Sequence, residues 1–208
     1  MKVYRFTDAM MGSNIYLIPE HGIIIDTGTG YSAWEILNQM RERAPLKGIK
    51  EIALTHMHFD HSGGAESFVK ATGARVFISD KDGEPLKKRD RETAGYTSPL
   101  SPMPEVELAP LKEGDTIGPL KVIESPGHTA GSICLYEPKE KLLFTGDTVF
   151  ADGVGRYDLP TGSRAELKRS LGKLSDVEIR IIYPGHGDTI GGDPDDVSTF
   201  LRELAGIV

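Results

Sequence analysis

The sequence THMHFDH at residues 55–61 places three of the chain's six histidines close together. A run rich in β-branched residues precedes it and a Ser-Gly-Gly turn follows it, so the motif stands at the end of a predicted strand. His56 and His58 are two positions apart and project to the same side of an extended segment. Asp60 and His61 follow in the turn and can face a neighbouring position. Imidazoles and a carboxylate without thiolates are typical of a zinc, iron or manganese site, and not of a structural zinc finger.

Three further candidate ligands stand in similar places along the chain. His128 and His186 each follow a predicted strand in a Pro-Gly turn, and Asp147 follows the strand that ends at Thr145. Loops at strand ends are common positions for binding and catalytic side chains. Any one of these residues alone could be an ordinary polar loop residue, but the whole set fits two ions that share a carboxylate. The candidate metal ligands are His56, His58, Asp60, His61, His128, Asp147 and His186.

Composition limits the class of protein. The chain has 208 residues, of which 38% are hydrophobic and 26% charged, so disorder, collagen-like and disulfide-scaffold classes are excluded and one domain over residues 1–208 is expected. The net charge of −7 has the sign opposite to that of most proteins that bind nucleic acid through its phosphates. The single cysteine, Cys134, cannot form an internal disulfide, and the apolar runs are strand-sized. We expect a cytoplasmic enzyme without a nucleic-acid or membrane partner; its oligomeric state stays open.

Patterning predicts two similar halves of strands and helices. Capping boxes predict helices that begin at Ser32 and Ser163, and Asp193 followed by Pro194 predicts the last helix. A further helix is predicted over residues 65–72, with Gly73 as its C-cap. Residues 80–104 alternate charges and then carry three prolines, so an irregular excursion is expected there, as a solvated loop or a lid. Strands are predicted at residues 13–18, 22–26, 50–55, 75–79, 120–124, 132–137, 141–145 and 179–183. The predicted fold class is α/β, with two mixed sheets flanked by helices.

The ordered ligand set resembles the metallo-β-lactamase superfamily, and within it the short, single-domain glyoxalase II-like (hydroxyacylglutathione hydrolase-like) group. The signature His-x-His-x-Asp-His is present, and the resemblance runs from Asp26 to His186. It implies the four-layer αββα sandwich and two divalent metal ions, with zinc first and iron or manganese as alternatives. It also implies the distribution of ligands: His56, His58 and His128 on one ion, Asp60, His61 and His186 on the other, and Asp147 bridging.

The resemblance further implies a hydrolase in which a metal-bridging hydroxide attacks an acyl carbon. Asp60 and Asp147 would be the catalytic carboxylates that hold the metals and orient the hydroxide. Asp26, at the end of a predicted strand, is either a simple turn residue or a second-shell partner that fixes a ligating imidazole, and both interpretations stay open. No serine stands in a Gly-x-Ser-x-Gly motif and Cys134 lies mid-strand, so neither residue type is a good candidate nucleophile.

The substrate is expected to be a small-molecule thioester of the S-hydroxyacylglutathione type. Residues 152–158 resemble the loop with which glyoxalase II enzymes meet the glycyl carboxylate of glutathione, and Arg156 stands where a lysine is usual. Two features depart from the long glyoxalase II enzymes. The sequence ends soon after Leu204, so we expect no counterpart of their C-terminal helical glutathione-binding domain. Asp158 and Asp188 stand near positions where those enzymes use tyrosines.

The same resemblance is compatible with other functions. A persulfide dioxygenase with one iron on His58, His128 and Asp147 is the main alternative, because two histidines and a carboxylate leave positions open for oxygen. A β-lactamase is disfavoured, because those zinc enzymes have a cysteine at the place of Asp147. A nuclease would need phosphate contacts, but the basic run at residues 87–89 is offset by adjacent acids. A metal-binding module without activity is disfavoured because every ligand position is filled.

Overall fold

The structure is a computed structural model that describes residues 1–96, 101 and 103–208. The backbone divides into two compact units, Met1–Leu111 and Lys112–Val208. Each unit contains one six-stranded sheet that mixes parallel and antiparallel pairs, as the sequence predicts. The single domain over residues 1–208 stays a prediction.

The sheet of the first unit has its strands in chain order. The strands β1 to β3 are antiparallel, and β3 to β6 are parallel. Parallel strands have their carboxyl ends at the same edge of a sheet, so the residues that follow β3, β4 and β5 lie near one another. The strands are β1 (Tyr4–Thr7), β2 (Asn14–Ile18), β3 (Ile23–Ile25), β4 (Glu51–Ala53), β5 (Arg75–Ser79) and β6 (Leu108–Leu111).

The first and third helices of the first unit bury apolar side chains in the core of this unit. On the first helix the buried side chains are Ile36, Leu37 and Met40, at the spacing of a single helical face. The third helix ends at Gly73, which has the left-handed φ of 74° expected of a C-cap. The helices are α1 (Ala33–Arg41), α2 (Phe59–Ser62), α3 (Ala65–Thr72) and α4 (Asp80–Lys87), with a short 3-10 helix at Leu46–Gly48.

Two local predictions for this unit are wrong. Ser32 does precede α1, but it makes no side-chain cap, because its hydroxyl donates to the buried carboxylate of Asp8 at 2.6 Å. A charged acceptor forms a stronger hydrogen bond than a neutral one, so it takes the hydroxyl from the capping role. The predicted irregular excursion over residues 80–104 begins instead with α4, whose first amides are capped by Ser79. Part of that prediction, at residues 97–100 and 102, lies outside the described residues.

The sheet of the second unit has the order β14-β13-β10-β9-β8-β7, and only β10 and β13 are parallel. Because β9 runs antiparallel to both of its neighbours, the ends of β8, β10 and β13 lie at one edge. The strands are β7 (Thr116–Ile117), β8 (Leu120–Glu124), β9 (Ile133–Glu137), β10 (Leu142–Gly146), β13 (Ile181–Pro184) and β14 (Ile190–Gly191), and a separate hairpin pairs β11 (Val149–Phe150) with β12 (Gly153–Val154).

Both helices of the second unit begin where the sequence predicts. In α5 (Arg164–Ser175) the Ser163 hydroxyl accepts from the amide of Glu166, and in α6 (Pro194–Ile207) the Asp193 carboxylate accepts from the amide of Asp195. Buried leucines of α5 and α6 pack with strand residues in one apolar core. Among the described residues, no helix has both the length and the apolar character needed to span a bilayer.

Candidate metal centre

The first unit holds the motif cluster, which we define as His56, His58, Asp60 and His61. His56 comes shortly after β4, His58 immediately precedes α2, and the other two residues lie on α2. The ring centroid of His56 is 4.9 Å from that of His58 and 4.3 Å from that of His61. All three imidazoles are buried, and Nε2 of His61 lies 3.6 Å from Oδ2 of Asp60. The four side chains therefore form one compact group of candidate ligands, in which the imidazoles are buried and Asp60 is partly exposed.

Asp26 fixes the orientation of one of these imidazoles. Nδ1 of His61 lies 2.8 Å from Asp26 Oδ2, while the amide and hydroxyl of Thr55 donate to the two oxygens of the same carboxylate, each at 2.8 Å. A carboxylate partner places the ring proton on Nδ1 and leaves the lone pair of Nε2 for a metal ion. Asp26 has the left-handed φ of 58°, which brings its side chain back onto the motif. The contact expected of a second-shell carboxylate is thus present.

The backbone of the motif is held by residues that the sequence interpretation missed. Asp82 Oδ2 accepts from the amide of Met57 at 2.9 Å, between the two first histidines. Ser62 Oγ donates to the carbonyl of Met57 at 2.7 Å and lies 2.7 Å from the hydroxyl of Tyr96, whose pKa is raised by burial. The spacing Ser79-x-x-Asp82 is itself a capping-box pattern and could have predicted α4. No sequence signal marks Ser62 or Tyr96.

Close packing between the backbone at Thr27 and the backbone at His61 and Gly64 also supports the motif cluster. The amide and hydroxyl of Thr27 donate to the carbonyl of His61 at 2.8 Å and 2.9 Å. A β-carbon on Gly64 would overlap the carbonyl oxygen of Thr27, so only glycine fits there. The Gly-Gly turn after the motif therefore lets the chain end of β3 pack directly against α2.

The second unit holds the loop cluster, which we define as His128, Asp147 and His186. Each residue follows the end of a strand, β8, β10 or β13, at the shared edge of the sheet. Asp147 Oδ2 lies 3.5 Å from Nε2 of His128 and 3.7 Å from Nε2 of His186. One carboxylate oxygen thus stands beside the outer nitrogens of two imidazoles. That position suits a ligand shared between two ions.

The loop that connects β12 to α5 orients the loop cluster through its backbone. Nδ1 of His128 lies 2.6 Å from the carbonyl oxygen of Arg156, which leaves Nε2 as the outer nitrogen. A β-carbon on Gly155 would overlap the carbonyl oxygen of Asp147 and would lie 3.1 Å from Nδ1 of His128. Glycine is therefore required for the loop to reach both candidate ligands. No side-chain pattern in the sequence predicts the role of the Arg156 carbonyl.

The side chain of Arg156, predicted to bind substrate, is engaged within its own loop. Its Nε donates to Asp158 Oδ1 at 2.9 Å and its Nη2 donates to Asp158 Oδ2 at 2.8 Å. Hydrogen bonding from Arg156 lowers the pKa of the Asp158 carboxyl. Both side chains are more than 60% exposed, at 66% and 62%. The arginine therefore lies at the surface of the predicted loop with a carboxylate already bound to its planar edge.

The donor set of each cluster fits a metal ion. Two ligand atoms on a tetrahedral zinc ion lie ~3.4 Å apart, given bond lengths of ~2.0–2.1 Å. The nitrogen-to-oxygen distances within the two clusters are 3.6 Å, 3.5 Å and 3.7 Å. Imidazole and carboxylate donors suit zinc, iron or manganese. Cys134 is buried in the core of the second unit, and burial raises its thiol pKa to about 11, so a thiolate ligand is not expected from it.

Comparison with known proteins places the chain in a family. The model of the metallo-beta-lactamase superfamily matches residues 10–186, which include the whole of the motif and loop clusters. The chain belongs to the metallo-beta-lactamase superfamily. The predicted fold class, the metallo-β-lactamase fold with two mixed sheets flanked by helices, is confirmed. The superfamily binds dinuclear metal centres, and its members supply the hydrolases to which this chain is similar.

Three relatives indicate the range of the family around this chain. A probable metallo-hydrolase, MJ0888 of Methanocaldococcus jannaschii, is 38% identical over 185 residues, covering 85% of this chain and 88% of the relative. The acyl-coenzyme A thioesterase MBLAC2 of Bos taurus is 30% identical, and the match covers 91% of this chain and 78% of the thioesterase. A hydroxyacylglutathione hydrolase of Methylobacillus flagellatus is 31% identical; the match covers 83% of this chain but only 61% of the hydrolase. These relatives are consistent with the predicted glyoxalase II-like group.

A solved structure agrees in fold and carries metal. TTHA1623, crystallised in a di-iron-bound form, is 30% identical to this chain and superposes with a TM-score of 0.77. The match covers 90% of this chain and 94% of the other. The similarity is therefore to a protein that binds two iron ions.

Proposed function

We propose that this protein hydrolyses thioesters of small molecules with the help of two divalent metal ions, zinc before iron or manganese. The observation that carries the proposal is the shared construction of the two clusters. In the motif cluster one imidazole Nε2 lies 3.6 Å from a carboxylate oxygen, and in the loop cluster two lie 3.5 Å and 3.7 Å from one such oxygen. Each cluster also has an imidazole whose Nδ1 is engaged by an oxygen acceptor. The hydroxyacylglutathione hydrolase and the acyl-coenzyme A thioesterase among its relatives support a thioester as the substrate.

The proposed distribution of ligands follows the superfamily pattern. His56, His58 and His128 would hold one ion, and Asp147 would be shared. The second ion would have Asp60, His61 and His186 as its remaining ligands. Bound in this way, a metal pair would polarise an acyl carbonyl and lower the pKa of a bound water toward ~7.

The chain's own residues would prepare the site for that chemistry. Asp26 keeps the proton on Nδ1 of His61, and the Arg156 carbonyl does the same for His128, so neither imidazole needs to reorient. Asp60 and Asp147 carry the negative charge that balances the ions and are the proposed catalytic carboxylates. A thiolate is a good leaving group, so no strong general acid is required. A cytoplasmic location is part of the proposal and agrees with the free, buried Cys134.

Substitution of one ligand in each cluster tests the proposal. We expect His58→Ala and Asp147→Ala to reduce thioester hydrolysis at least ~100-fold, since each removes a metal ligand. His21→Ala is the matched control, because this exposed histidine lies in the turn between β2 and β3. Elemental analysis of the parent should find about two ions per chain. Circular dichroism and thermal unfolding of each variant would show that the fold is retained.

Two assays on the same preparation decide the reaction. Hydrolysis is measured with S-lactoylglutathione and with the S-lactoyl thioester of N-acetylcysteamine, and oxygen uptake is measured with glutathione persulfide. The proposal expects hydrolysis of at least one thioester without oxygen uptake. Undiminished hydrolysis in both ligand variants would contradict it. Oxygen uptake with one iron per chain and no hydrolysis would favour the dioxygenase alternative.

A further inference from the structure

The Arg156–Asp158 pair bears on which thioesters the protein accepts. The backbone of this loop lies against the loop cluster: the Arg156 carbonyl bonds to His128, and Gly155 packs on the Asp147 carbonyl. The Arg156 side chain therefore belongs to a loop that directly contacts two candidate ligands, His128 and Asp147. These contacts of its loop are the reason to consider Arg156 before the other exposed arginines of the unit.

Asp158 occupies the part of Arg156 that recognises carboxylates. Guanidinium binds carboxylate best through two parallel N–H···O bonds, and Nε and Nη2 form that pair with the two oxygens of Asp158. The two residues are only two positions apart. A partner tethered by so short a segment competes at an effective concentration on the order of millimolar. A substrate carboxylate must displace Asp158 before it can use the same edge.

We propose that Asp158 is a specificity-determining residue: it competes for Arg156 and so disfavours thioesters whose thiol part carries a carboxylate. This inference rests on the proposed function, because it concerns the substrate of the same site. The inference predicts that the thiol part of the preferred substrate has no charge at the place where glutathione has its glycyl carboxylate. The pair is exposed to solvent, and exposed ion pairs are weak. Asp158 therefore shifts preference between substrates and does not exclude the charged one.

The test compares ligands that differ only in the carboxylate. Binding of S-methylglutathione and of its C-terminal amide to the metal-loaded protein is measured by calorimetry. In parallel, kcat/KM is measured for S-lactoylglutathione and for the S-lactoyl thioester of N-acetylcysteamine. We expect Asp158→Asn to improve binding of the carboxylate ligand relative to its amide on the order of five-fold, the size expected for release of an exposed ion pair. The kcat/KM ratio should shift in the same direction, mainly through KM.

Three further variants make the test specific to the pair. Asp152→Asn removes a negative charge from the exposed turn between β11 and β12, close in sequence to the pair, and should leave the ratio unchanged. Arg156→Gln alone should change the ratio little, because Asp158 already occupies Nε and Nη2 of Arg156 in the parent. The double variant Asp158→Asn/Arg156→Gln should lose the improved binding of the carboxylate ligand that Asp158→Asn gives. The inference is overturned if Asp158→Asn binds both ligands as the parent does. It is also overturned if Arg156→Gln alone weakens the carboxylate ligand about five-fold.

The two proposals can fail separately. If the protein hydrolyses neither thioester, the proposed function is wrong, and the calorimetric ratio still decides whether Asp158 competes for Arg156. If it hydrolyses the neutral thioester and the ratio does not respond to Asp158→Asn, the proposed function stands and the inference about specificity is wrong.

Discussion

The motif cluster and the loop cluster present the same donor atoms but are built differently. The four residues of the motif cluster are close in sequence and are oriented by side chains, chiefly Asp26 and Asp82. The three residues of the loop cluster come from separate strand ends, and the backbone of residues 155 and 156 orients them. The first cluster is therefore vulnerable to loss of a supporting carboxylate, and the second to any change that displaces a loop.

Among substitutions that leave every candidate ligand in place, the largest effect is expected from Gly155→Ala, next to the loop cluster. The added β-carbon would overlap the Asp147 carbonyl, so the loop must move and the Arg156 carbonyl must leave His128. A misplacement of about 1 Å can reduce turnover ~100-fold, and forced overpacking costs about 1–3 kcal/mol of folding free energy. Kinetics and urea unfolding would measure the two effects.

Gly172→Ala is the control for this glycine. It lies in α5 with no atom within 4 Å of the added carbon, and alanine in a helix interior should stabilise the protein by up to ~1 kcal/mol. If Gly155→Ala retains full activity and stability, the backbone of this loop does not position the loop cluster.

A smaller effect is expected from Asp26→Ala, which changes the support of the motif cluster. It removes the acceptor of His61 Nδ1, and loss of such a partner typically lowers metal affinity ~10–100-fold. Competition with a chromophoric zinc chelator would measure the affinity. Asp26→Asn is the matched variant, since asparagine tolerates the left-handed conformation and keeps one acceptor oxygen, so its loss should be smaller. Equal affinity in Asp26→Ala and the parent, with the fold intact, would show that Asp26 is only a turn residue.

The smallest effect on metal affinity is expected from Arg156→Ala. The bond to His128 uses the backbone carbonyl, which every residue supplies, so the affinity should stay within about two-fold of the parent value. The same chelator competition would check this, with His128→Ala as the contrasting variant. A ten-fold loss of metal affinity in Arg156→Ala would show that the side chain of Arg156, and not only its backbone carbonyl, supports the loop cluster.

The sequence predicted most of the regular structure because its signals were local. The caps at Ser163 and Asp193, the C-cap at Gly73 and the strands with alternating or continuous apolar residues are all present. Ser32 failed as a cap because Asp8, which is distant in sequence, binds its hydroxyl. The short strands β7, β11, β12 and β14 were missed because two residues are too few to show a period, and the four-residue strands β1 and β6 were not predicted either.

The sequence by itself identified the candidate donor set: three imidazoles and a carboxylate within six positions, followed in order by His128, Asp147 and His186. It did so because ligand chemistry resides in the identity of the side chain, and the spacing of a strand end and a turn sets which side chains can face one ion. Only the tertiary structure decided how those groups are oriented. Asp26 and Asp82 reach the motif from separate segments, a backbone carbonyl holds His128, and Asp158 binds the arginine that sequence comparison assigned to substrate. Hydrogen bonds between distant segments, and bonds made by the backbone, leave no local pattern in the sequence.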